Sequence, residues 1–227
     1  MEKKSIVKTQ KLTKVFNRGF DNEVVAIRDI NIDIKEGEMV SIMGPSGSGK
    51  TTLLNCISGI DDITSGKVFI DGEDMQSLPD NRKTKYRAQK MGFIFQTFNL
   101  IPVLTAIENV EMPLLINGFG RAESRKKAKE MLAVVGLENR LDHKPSELSG
   151  GQRQRVTIAR ALVHKPAVIW ADEPTGNLDR KTAFEIFDLM VKLNKELNET
   201  FVVVTHDEEI AEKTERIIKM ESGKIIL

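Results

Sequence analysis

The 227 residues are enough to bury a full core as one domain, or as one domain with a subdomain, and Lys plus Arg (34) nearly balances Asp plus Glu (33). The net charge of +1 argues against a dedicated nucleic-acid surface. A single cysteine, Cys56, excludes a disulfide framework or a cysteine metal site; it suits a reducing cytosol and reads as a small buried apolar residue. Lys3 and Lys4 are followed by no apolar stretch, so no secretory signal is expected. The longest apolar runs, such as residues 167–171 and 201–204, fall far short of the about 20 residues a membrane helix needs. A soluble chain is expected, with any membrane spans supplied by another subunit.

Residues 6–16 and 24–27, then the alternation of Ile30, Ile32 and Ile34, read as strands separated by the polar segment 17–22. Alternation leaves one face solvated, which predicts an antiparallel layer, joined later by Gly66-Lys67-Val68-Phe69-Ile70 and its Asp71-Gly72 turn. Phe16, near the end of the first strand, can stack on an adenine ring or sit in the core, and as a lone aromatic it decides nothing alone.

Met39-Val40-Ser41-Ile42-Met43 is an apolar run of strand length. It leads into Gly44-Pro45-Ser46-Gly47-Ser48-Gly49-Lys50-Thr51-Thr52, which fits the phosphate-binding pattern G-x-x-x-x-G-K-[ST] at every required position. Residues 52–58 have helical character before Gly59, a C-cap candidate. A strand thus delivers the chain into a glycine-rich loop whose backbone N–H groups can face one anion, and a helix begins where its positive end meets that anion. On this pattern Lys50 reaches the β- and γ-phosphates of a nucleotide and Thr51 places a hydroxyl on Mg²⁺.

Residues 80–90 carry Arg82, Lys83, Lys85, Arg87 and Lys90, read as a solvated helix face, and Met91-Gly92-Phe93-Ile94-Phe95 returns to a buried strand ending at Gln96. From 97 to 148 helical patterns dominate. Thr105 with Glu108 forms a capping box, and residues 121–135 place Ala128, Met131, Leu132 and Val135 on one face before Gly136. An α/β protein with an inserted helical segment at roughly 97–150 is expected. Leu148-Ser149-Gly150-Gly151-Gln152 then opens a helix over 153–163, with Ser149 as cap and two glycines baring N–H groups at its start, a second potential phosphate contact.

Val168-Ile169-Trp170-Ala171-Asp172-Glu173 is an apolar strand running into two carboxylates, the pattern of a parallel strand with functional groups at its carboxyl end. Beside a phosphate loop, Asp172 reads as the Mg²⁺ holder, usually through water, and Glu173 as the group that polarises attacking water. Residues 184–197 form an amphipathic helix with Phe187, Met190, Val191 and Leu197 inward, and 201–204 a buried strand ending at Thr205-His206-Asp207. His206 therefore sits at a strand end in the same layer, within reach of a γ-phosphate, whereas His143 and His164 are expected at the surface. Residues 216–220, a turn at 221–224 and residues 225–227 close the chain as a hairpin.

Taken together these motifs resemble, in order and over nearly the whole chain, the nucleotide-binding subunit of ABC transporters. Gly44 to Thr51 matches the family's phosphate loop, Gln96 its Q-loop, Leu148 to Gln152 its signature, Asp172-Glu173 its Walker B end, Gly176-Asn177-Leu178-Asp179 its D-loop and His206 its switch histidine. The resemblance implies a single ABC ATPase domain over 1–227: an α/β P-loop fold with a mostly parallel core sheet, an N-terminal antiparallel β layer and the helical insertion. It implies ATP and Mg²⁺ as cofactors, with Gln96 sharing the metal with Thr51 and Asp172. Phe16 takes the adenine-stacking position, usually a tyrosine.

It also implies that Ser149, Gly151 and Gln152 act on the nucleotide of a second copy, in a head-to-tail dimer that ATP closes and hydrolysis opens. Glu173 would be the base, with His206 and Gln96 positioning phosphate, metal and water. The stretches Gly92-Phe93-Ile94-Phe95-Gln96, Leu100-Ile101-Pro102 and Ala171-Asp172-Glu173-Pro174-Thr175-Gly176 look like the MacB, LolD and FtsE group, which pairs with FtsX- or MacB-type permeases at the cytoplasmic face of the membrane, for export, extraction or force transmission. Trp170 and Arg153 depart from common family residues without removing a catalytic group, and Asn177 in the D-loop bears on contacts across a dimer, in a direction the residue alone does not give. A P-loop kinase would have no use for the signature, and a translation or repair ATPase would carry a second domain or a coiled coil. A purely mechanical partner of a membrane protein stays open.

Overall fold

The computed structural model describes residues 3–226. The chain opens with β1 (Ser5–Phe16), β2 (Val24–Ile30) and β3 (Asp33–Lys35), then β4 (Met39–Met43) enters the phosphate loop and α1 (Lys50–Ile57) leaves it. Next come β5 (Ser65–Ile70), β6 (Glu73–Asp74), α2 (Asp80–Lys90) and β7 (Met91–Phe95). A helical stretch follows: α3 (Ala106–Ile116), α4 (Arg121–Val134), a short 3-10 turn and α5 (Gly150–Leu162). β8 (Val168–Asp172), α6 (Arg180–Leu197), β9 (Phe201–Thr205), α7 (Glu208–Ala211), β10 (Arg216–Glu221) and β11 (Lys224–Ile226) complete the described chain. Leu227, assigned to the terminal hairpin, lies outside the described residues.

Two sheets result. The core sheet runs β11-β10-β4-β9-β8-β7, parallel throughout except for the β10–β11 hairpin. The second is antiparallel, in the order β2-β1-β5-β6 with β3 also on β1. Both were expected. The core strands are buried on both faces, and their period-2 alternation sorts side chains between two cores. Ile169, Ala171, Phe201 and Val203 pack with α3, α4, α5 and α6 on one side. Val168, Trp170, Val202 and Val204 pack with α1 and the antiparallel layer on the other. The carboxyl ends of β4, β8 and β9 therefore lie along the same edge, because the three strands are parallel.

Local chemistry sets several boundaries. Thr105 caps α3 in the expected box with Glu108. α6 begins earlier than residue 184, at Arg180, because the Asp179 carboxylate accepts the N–H of Thr182 at 3.1 Å. Ile30 belongs to β2 rather than to a strand with Ile32 and Ile34; Asp29, at φ 52°, kinks the chain there. Leu197 was expected on the inner stripe of α6 yet is 41 % exposed, one residue before the chain reverses at Asn198 (φ 54°).

Neither His143 nor His164 is a plain surface residue. His164 is half-buried with Nε2 3.1 Å from the Met91 carbonyl, and burial holds its pKa below the usual value. His143 is also half-buried, and its carbonyl accepts the N–H of Ala106 at 2.8 Å. Cys56 is buried as expected, which pushes its thiol up to about 11 and makes it unreactive.

Candidate functional site

β4 ends against the phosphate loop, and steric demand explains the loop's glycines. A Cβ on Gly44 would stand 2.2 Å from the Met220 carbonyl oxygen and 2.8 Å from Ser48 Oγ. Gly49 adopts φ 96°, and a Cβ there would meet the Ala26 carbonyl oxygen at 2.7 Å. Gly49 also occupies the N-cap of α1, where no side chain caps the helix. Among the described residues, no acceptor takes the backbone N–H groups of Gly47, Gly49, Lys50 or Thr51. Four bare donors at a helix start form an anion cradle. Lys50 Nζ lies across it, donating to the carbonyls of Gly44 and Pro45 at 2.8 and 2.9 Å. Ser48, largely buried, supports the loop from behind by accepting the N–H of Gly223 on its carbonyl at 3.0 Å.

The end of β8 meets this cradle. Thr51 Oγ1 donates to Asp172 Oδ1 at 3.3 Å. Burial, aided by the neighbouring Glu173 charge, raises the Asp172 pKa, while Thr51 and Lys50 oppose the rise. A hard cation beside Asp172 would remove that penalty. Glu173 follows with φ 46°, a left-handed backbone rare for a non-glycine residue. Its N–H is held by the Val204 carbonyl at 2.9 Å, and its carboxylate lies 2.8 Å from Nδ1 of His206, which stands just past β9. The strain turns Glu173 toward His206 instead of letting β8 continue.

A cavity of about 870 Å³ gathers most of these groups, lined by Pro45, Ser46, Gly47, Gly49, Lys50, Thr51, Thr52, Glu173 and His206; Asp172 does not line it and stands behind Thr51, to which it is hydrogen-bonded. Its far wall, which sequence reasoning missed, is Val24, Val25, Ala26, Ser222 and Gly223. The 221–224 turn was legible, but nothing local tells that it abuts the phosphate loop. Phe16 does not line the cavity. It pairs with Val24 across the β1–β2 ladder, is 40 % exposed and carries the Lys14 ammonium over its ring at 4.8 Å. Gln96 also lies outside it: its side-chain amide donates to Asn177 Oδ1 at 3.3 Å.

The signature segment faces elsewhere too. Ser149 Oγ accepts the N–H of Gln152 at 3.3 Å, and Gln152 Oε1 accepts the N–H of Ser149 at 3.0 Å, a closed capping box on α5. Gly151 sits so close to α6 that a Cβ would reach Thr182 Cγ2 at 2.7 Å. None of the three borders the chain's own cavity.

A glycine-rich cradle between a parallel strand and a helix, with a lysine across it and an Asp-Glu pair at the end of β8, one strand beyond β9 in the same sheet, defines a P-loop nucleoside triphosphatase. The model of the ABC transporter family matches residues 27–176. The ABC transporter ATP-binding protein MJ0796 of Methanocaldococcus jannaschii is 50 % identical over 224 residues, covering 97 % of this chain and 95 % of that one. The lipoprotein-releasing system ATP-binding protein LolD of Legionella pneumophila is 46 % identical over 220 residues, with 97 % and 96 % covered. A dimeric structure of MJ0796 in a post-hydrolysis state, bound to ADP and Pi, superposes with a TM-score of 0.87 at 49 % identity, covering 98 % of this chain and 97 % of that chain. The chain belongs to the ABC transporter family, as an ATP-hydrolysing cassette.

Proposed function

We propose that this chain, folded as one ABC ATPase domain, powers a separate membrane permease of the FtsX or MacB type by closing in pairs on ATP and reopening after hydrolysis. Export or extraction is the mode the reading favours, and the LolD relatives, named for lipoprotein release, support it. The observation that carries it is a split site: the phosphate loop, Glu173 and His206 share one cavity, while the helix start at exposed Ser149 and half-buried Gly151 and Gln152 lies outside it. A second copy arranged head to tail brings that helix start to the open side of the cavity, against the γ-phosphate. The dimeric MJ0796 structure with ADP and Pi is in keeping with this.

Within one cavity the roles follow from geometry. The bare N–H groups and Lys50 bind the phosphates, and the apolar wall of Val24 to Ala26, with Phe16 next to it, receives the base. The oxygen donors of Thr51 and Asp172 suit Mg²⁺, which takes one or two protein oxygens and keeps water and phosphate for the rest. Bound there, Mg²⁺ would supply positive charge against the β- and γ-phosphates. Glu173 accepts the proton of the attacking water, and His206 holds the Glu173 carboxylate in place. Gln96, Ser149, Gly151 and Gln152 complete the phosphate and metal shell when two copies close.

An apolar groove of about 340 Å³ between β7 and α3, lined by Met91, Phe93, Phe95, Pro113, Ile116 and His164 among others, ends one residue from Gln96. We assign the permease to this groove, at whose edge Ile116 is exposed. No described helix is long and apolar enough to cross a membrane, so the cassette would be held at the cytoplasmic face through that partner. Ile116→Glu should abolish co-purification with the membrane subunit and leave the ATPase rate of the isolated chain within about twofold, because Ile116 is 64 % exposed. Retention of the membrane subunit, or parallel loss of hydrolysis, would count against the assignment.

A further inference from the structure

Gln96 is held away from the cavity by a built cradle. Its Nε2 donates to Asn177 Oδ1 at 3.3 Å, and Asn177 Nδ2 donates back to the Gln96 carbonyl at 3.0 Å. Gly176 makes room for it: a Cβ there would lie 2.8 Å from Gln96 Nε2 and 3.2 Å from its Cδ. The cradle is tied to the reacting end of β8, since the Gly176 N–H donates to the Glu173 carbonyl at 3.0 Å and closes the Glu173-to-Gly176 turn. It also touches the signature helix, where a Cβ on Gly150 would stand 3.1 Å from Leu178 Cδ2. The two bonds hold the Gln96 amide against Gly176; only Nε2 is engaged, but the side chain held there does not line the cavity and must leave this position to bring Oε1 to a metal inside it.

We infer that Asn177 is a positioning residue that stores Gln96 against Gly176, and that Gln96 leaves this store to reach the metal-bound nucleotide. The inference rests on the reading of Gln96 as a group that serves Mg²⁺ and the γ-phosphate. Stored and released positions compete, so the store lowers the apparent affinity for metal-bound nucleotide by the fraction of time Gln96 is held. It also couples the D-loop, and through Leu178 the signature helix, to whether Gln96 is free. Asn177 thereby sets the threshold at which nucleotide engages the metal.

The test is calorimetric binding of a non-hydrolysable ATP analogue, with Mg²⁺ and in excess chelator, to the full chain and to the Asn177→Ala, Gln96→Ala and doubly substituted chains. Asn177→Ala should tighten Mg²⁺-dependent binding by about three- to tenfold, the worth of one released hydrogen bond. It should leave metal-free binding unchanged, which also shows that the variant is folded. In the Gln96→Ala background the gain should vanish, because the coupling is between these two side chains. Asn177→Ser, too short to reach Nε2, should repeat the gain. Unchanged or weaker Mg²⁺-dependent binding, or a gain that persists without Gln96, overturns the store. Should Gln96→Ala alone leave Mg²⁺-dependent binding unaltered, the metal role of Gln96 falls and the store falls with it. Weakening by Gln96→Ala with no gain from Asn177→Ala removes the store alone.

Discussion

The two glycine-rich helix starts of this chain do opposite things with the same raw material. α1 begins at Gly49 with φ 96° and no side-chain cap, and its bare N–H groups open onto the chain's own cavity. α5 begins at Ser149 in a closed capping box with Gln152, exposed and away from that cavity. An uncapped start keeps its positive end for an anion, whereas a capped one satisfies part of it internally and is stable alone. The first is a complete half-site. On the proposed arrangement the second is a surface that acquires a ligand only when another copy brings one, a division that would make nucleotide a dimerising agent rather than a plain substrate.

The comparison breaks most severely at Lys50, the side chain laid across the α1 cradle. Lys50→Met should weaken nucleotide binding by about 10- to 100-fold, the loss of charge-assisted hydrogen bonds to phosphate, as read by calorimetry. Comparable affinity would mean that the loop N–H groups suffice.

At α5 the expected effect is smaller and of another kind. Ser149→Ala removes the cap, costing about 1 kcal/mol in urea unfolding. Because Ser149 lies outside its own cavity, nucleotide binding by a single copy should be unchanged while ATP-dependent association weakens. Weakened binding in a chain that stays monomeric would place Ser149 in its own site and erase the contrast.

The smallest effect serves as a control remote from both helix starts. Glu199, half-buried just before β9, has its pKa pushed up to about 7 by burial, which the Lys165 charge only partly opposes. A raised acid pKa stabilises the fold below the unfolded value near 4.5, and that stability is lost as pH rises through about 7. Glu199→Gln should therefore be more stable than the parent at pH 8, by on the order of 1 kcal/mol after allowance for solvent screening, with the difference fading by pH 4.5. ATP hydrolysis should follow its parent profile, since Glu199 lies at the amino end of β9 and the site at its carboxyl end.

What the sequence disclosed was local. The phosphate loop, the Thr105 and Ser149 caps and the β8 strand ending in carboxylates are set by neighbours within a few residues, so their spacing alone reveals them. What it withheld depends on distant pairing. The Val24-to-Ala26 wall reaches the cavity only because β2 and the Ser222-Gly223 turn fold against Gly49, and Gln96 meets Asn177 only through the β7–β8 register. Leu197 and His164 show the limit of periodicity: it gives the face of a helix or the end of a strand, and not whether another element covers it.

The most direct test is solution mass with and without ATP and Mg²⁺, for the native chain and for Glu173→Gln, which should bind ATP and fail to hydrolyse it. The account predicts that Glu173→Gln becomes a stable dimer only with ATP, while the native chain returns to monomer as ATP is consumed. A Glu173→Gln chain that stays monomeric at saturating ATP would contradict closure of two copies on shared nucleotide.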